Sequence, residues 1–81
     1  MSDNKPDPIR ILIIMKDNDQ TPYDAMKMSR SYHDRTGESH DWHEFSNALL
    51  SLYNAGLIQY MGQHNGGLCQ YKSIIKNQEG G

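Results

Sequence analysis

The chain has 81 residues, 36% of them hydrophobic, a formal net charge of −2 and one cysteine. That length holds one small domain near the lower limit for a self-sufficient hydrophobic core. Cys69, being alone, excludes an internal disulfide and fits a reducing compartment. No stretch approaches the roughly 20 apolar residues of a membrane span, and the polar, acid-bearing start Met1 to Asp7 argues against a secretory signal. A cytoplasmic protein is expected, with a charge balance that selects neither an acidic nor a basic partner.

Residues 1–7 are expected to be a disordered N-terminus. Asp7-Pro8 has the form of a helix start, with Asp7 as N-cap and Pro8 at the first helical position. The apolar run Ile9, Ile11 to Met15 follows. Its β-branched content also suits a buried strand, and the Asp-Pro start decides for helix. Asp17 to Gln20 is a polar loop.

Thr21-Pro22-Tyr23-Asp24 has the form of a capping box with Asp in place of Glu: Thr21 caps, Pro22 opens the second helix and Asp24 sits in its first turn. Pro22, Ala25, Met26, Ser29, Tyr32 and His33 share one side of that helix. Arg35 and then Gly37 mark its end. The third helix, residues 41–55, starts at Asp41 with Glu44 three positions on. Trp42, Phe45, Ala48, Leu49, Leu52 and Tyr53 form an apolar stripe of helical period. Gly56 supplies a left-handed stop on which Leu57 can fold back.

The remainder reads as a hairpin. With Asn65-Gly66 as a two-residue turn, Tyr60 pairs with Tyr71, Ile58 with Ser73 and Gly62 with Cys69. That register puts Ile58, Tyr60, Cys69 and Tyr71 on one face and Gln59, Gln63, Gln70 and Lys72 on the other, with Met61 and Leu68. The domain thus spans residues 8–75, and residues 76–81 form a flexible tail. Trp42, Phe45, Leu49 and Leu52 are expected to pack on the first helix, with Ile58 and Tyr71 closing the core. Met28, Met61 and Leu68 are expected at the surface as an interaction patch.

Three helices followed by a hairpin is the winged helix-turn-helix arrangement, an α+β fold. Over residues 8 to 75 the chain resembles the PadR and MarR groups of bacterial regulators. Ile11 to Met15 resembles their apolar first helix, and Thr21 to Asp24 lies where PadR proteins often carry a Gly-Tyr-Glu-Leu segment. Phe45, Ala48, Leu49, Leu52, Gly56, Leu57 and Ile58 match a recognition helix ending in a Gly-Leu-Ile step, and Tyr71 falls where the second wing strand often has an aromatic. The resemblance implies a DNA-binding transcriptional regulator that contacts duplex DNA through the third helix and the wing, and a homodimer is compatible with it. The chain departs from these regulators in two respects: no Lys or Arg lies between Thr36 and Tyr71, and the additional dimerisation helix is missing.

Ser46, Asn47, Ser51 and Asn54 are the candidates for base edges, asparagine being suited to adenine. Phosphate contacts fall to Lys27, Arg30 and Arg35 on the second helix and to Lys72 on the wing. His43 and Leu50 share the same helix face. The competing reading is a winged-helix adaptor that binds protein, not DNA, through that face; the scarcity of cations there favours it. His33, His40, Asp41, His43 and Glu44 are residues zinc accepts, yet His40 to His43 straddles a helix cap, where side chains diverge, and capping and surface roles outweigh a metal. Cys69 is expected to face the core; a nucleophilic pair with His64 lacks a third group. No catalytic constellation is evident, so neither an enzyme nor a cofactor is expected.

Overall fold

The computed structural model describes residues 5–63 and 67–74. Its elements run α1 (Pro8–Asp17), α2 (Ala25–Thr36), α3 (Trp42–Asn54), β1 (Ile58–Gln63) and β2 (Cys69–Ser73). The two strands form an antiparallel sheet, and the whole is a three-helix winged helix-turn-helix with a C-terminal β-hairpin wing.

Helix α1 starts as its sequence dictates. The Asp7 carboxylate accepts from the Ile9 amide at 3.0 Å, and Pro8 occupies the first helical position. Residues 5–7, expected outside the domain, lie against it: Pro6 is buried, and the Asp7 amide donates to the Tyr32 hydroxyl on α2 at 2.9 Å. The apolar run of α1 divides between two sides. Ile11, Ile14 and Met15 enter the core, whereas Ile9 and Ile13 point outward.

Helix α2 begins later than the capping-box pattern indicates. Thr21 is not the cap and Pro22 is not helical; Asp24 is the N-cap, its carboxylate accepting from the Lys27 amide at 2.8 Å. The reason lies far along the chain. The Tyr23 amide donates to the Tyr71 carbonyl at 2.7 Å and the Tyr71 amide donates back at 2.8 Å. Tyr23 is therefore extended and adds a one-residue third rung to the sheet on the free edge of β2. The buried side of α2 also differs from the expected one. Ala25, Met28 and Tyr32 enter the core, while Met26 and His33, expected on the inward side, are exposed, and Met28, expected at the surface, is fully buried.

Helix α3 buries Phe45, Leu49 and Leu52 as its stripe requires. Trp42 does not join them. It lies in the first turn at the edge of the core, 37% exposed, with its ring stacked on His43 at 4.0 Å. Asp41 stands at the N-cap, but its side chain makes no cap hydrogen bond. The C-terminus is a Schellman motif: the Gly56 amide donates to Tyr53 O at 2.9 Å and the Leu57 amide to Leu52 O at 3.0 Å. Gly56 has φ +80°, a region costly for residues with a Cβ.

The wing keeps the expected register at its base, where Ile58 faces Ser73 and Tyr60 faces Tyr71. Above that level the register shifts. Gly62 faces Gln70 and Gln63 faces Cys69, not Gly62 facing Cys69, because Met61 is an extra residue in β1. Gly62 holds φ +104°, which lets the strand kink there. Five residues, 64–68, then separate the strands; the Asn65-Gly66 turn lies outside the described residues. Tyr60, placed on the core face by the simple register, is 45% exposed. Ile58 and Tyr71 do close the core, with Cys69 half-buried against it.

Candidate recognition surface

In this fold α2 and α3 form the helix-turn-helix, and one side of α3 is free of the core. Phe45, Leu49 and Leu52 point inward, so the helical period turns His43, Asn47, Leu50 and Asn54 outward. All four are exposed, as is Ser51 on one flank; Ser46, on the other, is half-buried. The His43 ring lies between the Trp42 ring and the Asp41 carboxylate, the latter 3.6 Å from Nδ1.

The flanks of α3 open into two clefts. One, of about 200 Å³, lies between α3 and the wing and is lined by Ser46, Leu49, Leu50, Leu68, Cys69 and Tyr71, with Ala25 at the start of α2 and Gly67 of the wing. The other, of about 300 Å³, lies between α3 and the N-terminal segment and is lined by Asn47, Ala48, Ser51 and Glu44 against Lys5, Pro6 and Pro8. The candidates for base edges are thus divided: Ser46 belongs to the wing-side cleft, beside Leu50, and Asn47 and Ser51 to the opposite one.

The cations are dispersed. Lys27 and Arg30 are exposed on α2. The Lys27 ammonium lies 5.8 Å from the centroid of the Tyr23 ring, a cation–π distance. The Arg35 guanidinium, a candidate for phosphate contact, donates to Asp17 Oδ2 of α1 at 2.8 Å. Both members are about two-fifths exposed, so the pair adds little stability. Lys72 is half-buried on β2. At the start of α3, Asp41 and Glu44 bring negative charge.

The histidines diverge. His40 turns inward in the α2–α3 connection, edge-on to Tyr32 and Phe45 at 5.5 and 5.8 Å, with Nε2 3.1 Å from Glu38. His33 Nδ1 is 3.3 Å from the Ser39 hydroxyl. No group of three metal-ligating side chains occurs among the described residues.

Reading the sequence alone misses the aromatic group beside the wing. Tyr53, Tyr60 and Tyr71 pack with ring centroids 5.7–6.1 Å apart. Burial raises the Tyr71 phenol above its ordinary 10.0, and the neighbouring Cys69 thiol adds to the rise; the same two causes raise Tyr60. Tyr53 and Tyr60 could have been foreseen together only by combining the helical period with the strand register.

The fold is that of a winged-helix domain whose third helix turns a largely polar side, free of Lys and Arg, to the outside. Comparison with known protein families, curated proteins and solved structures finds no match. No helix among the described residues is long and apolar enough to cross a membrane.

Proposed function

We propose that this protein is a winged-helix DNA-binding regulator of transcription that presents the outer side of α3 to the major groove. The observation that carries the reading is the row His43, Asn47, Ser51 and Asn54. These side chains are exposed along α3 while Phe45, Leu49 and Leu52, with Ala48 packed beside them, face the core. A helix of this width fits the major groove, and an asparagine amide matches the donor–acceptor pair of adenine. Phosphate contact falls to Lys27 and Arg30 on α2 and Lys72 on the wing, with Arg35 engaged by Asp17.

So few cations make the electrostatic part of binding weak and set the test. Fluorescence anisotropy with random duplex DNA is measured at rising salt. Log affinity against log salt should have a slope of roughly −2 to −3 per monomer, at about −0.9 per phosphate neutralised. Arg30→Ala should weaken all sequences alike, and Asn47→Ala a preferred sequence most. No binding to any duplex at about 50 mM salt, where phosphate contacts are still strong, sinks the reading.

One observation favours a second reading, a protein-binding adaptor. The cleft between α3 and the wing is lined by Leu49, Leu68, Cys69 and Tyr71 with Leu50 exposed, and Met61 is exposed elsewhere on the wing, on β1. Such a lining accepts an apolar side chain of a partner. Absence of DNA binding, together with a partner lost on Leu50→Glu or Met61→Glu, establishes this reading in place of the first.

A further inference from the structure

Lys5 belongs to a segment that the sequence places outside the domain, yet it stands beside α3. Pro6 is buried, and the Asp7 amide donates to the Tyr32 hydroxyl at 2.9 Å, so the chain just before α1 is held against the helical core. Lys5 is left exposed along the cleft of about 300 Å³ that Asn47 and Ser51 also line. Among the described residues it is the one cation lining either cleft beside α3. Glu44 lines the same cleft, and no ion pair joins it to Lys5.

We propose that Lys5 is a phosphate contact, meeting the sugar–phosphate backbone on the flank of α3 away from the wing. This inference rests on the DNA-binding reading and adds a residue to it. The major groove is about 12 Å wide and has a backbone along each side, so a helix lying in it meets phosphates on both flanks. The wing follows one flank of α3, and the N-terminal segment follows the other. Lysine binds phosphate as a point charge on a flexible four-carbon stem. That suits a contact which positions the helix without reading a base. Lys27, Arg30 and Arg35 on α2 line neither cleft, so Lys5 is the cation that accompanies Asn47 and Ser51.

The test is fluorescence anisotropy of the whole chain with a random duplex from about 50 to about 200 mM salt, a range over which phosphate contacts weaken steeply. In Lys5→Ala the slope of log affinity against log salt should be shallower than in wild type by about 0.9, the share of one phosphate. Affinity at about 0.1 M salt should fall roughly five- to tenfold. Lys5→Arg should keep the wild-type slope, since it keeps the charge. Lys16→Ala removes an exposed lysine from the far end of α1 and should leave the slope unchanged. Circular dichroism of all three variants should match wild type, because both lysines are exposed. Wild type that binds while Lys5→Ala keeps its slope overturns this inference and leaves the DNA-binding reading standing. An equal loss in Lys16→Ala also overturns it, since net charge and not position would then set the affinity. Wild type that binds no duplex overturns both.

Discussion

Tyr23 and Tyr71 exchange two backbone hydrogen bonds, at 2.7 and 2.8 Å, across a separation of 48 residues. The link ties the segment before the helix-turn-helix to the second wing strand. It fixes where α2 begins, and both partners are buried. Buried backbone pairs open only with the surrounding structure. In native-state hydrogen exchange the Tyr23 amide should therefore be protected to the level of core amides such as Leu49. A Tyr23 amide exchanging as fast as a free peptide would show that the third rung does not persist.

The same link moves the helix cap from Thr21 to Asp24. Asp24→Ala should cost about 0.5–2 kcal/mol, the usual range for a lost N-cap. Thr21→Ala should be close to neutral, because its side chain caps nothing. Urea unfolding of the two variants decides this, and a larger loss at Thr21 would reinstate the earlier helix start.

Leu49 and Trp42 lie on one helix and should respond very differently to truncation. Leu49 is almost wholly buried, so Leu49→Ala should cost about 2–5 kcal/mol. Trp42 sits at the rim with its ring on His43, and Trp42→Ala should cost less than Leu49→Ala despite removing more atoms. Chemical unfolding followed by circular dichroism gives both numbers. Equal costs would place Trp42 in the core after all.

Gly56 terminates α3 with a positive φ, and no heavy atom stands where a Cβ would be added. The penalty for replacing it is thus conformational rather than steric crowding from neighbours. Gly56→Asn should be tolerated better than Gly56→Val, since asparagine visits the left-handed region and a β-branched residue does not. Matched thermal melts of the two variants would count against this cap.

Tyr71 should make the domain sensitive to alkali. Its phenol titrates above 10.0 in the folded chain, chiefly through burial, then through Cys69. Above pH 10 the unfolded chain loses this proton before the folded one, so the folded state binds more protons and stability falls as pH rises. The contribution is fully present below the unfolded value and is gone once pH passes the folded one. Tyr71→Phe should flatten the fall in stability above pH 10, measured by urea unfolding at several pH values. An unchanged pH profile in the variant would assign the alkaline loss to other groups.

Local chemistry sufficed for the parts of this protein whose partners are near in sequence. Asp7-Pro8 set the start of α1, the Phe45–Leu49–Leu52 spacing set the inward side of α3, and Gly56 set its end, because caps and helical period involve residues within one or two turns. The pairs at the base of the wing, Ile58 with Ser73 and Tyr60 with Tyr71, followed from centring the hairpin on Asn65-Gly66. Tertiary structure alone decided what depends on distant partners. Tyr71 pairs with Tyr23, and the cap of α2 lies at Asp24; packing of α2 on the core put Met28 inward and Met26 outward. The bulge at Met61 and Gly62 exceeded simple alternation, although a glycine inside a strand was its local sign. The recognition surface followed the same division. The exposed row on α3 was readable from periodicity, whereas the pairing of Arg35 with Asp17 and the cleft that Asn47 and Ser51 share with Lys5, Pro6 and Pro8 required α1 and the N-terminal segment to be in place.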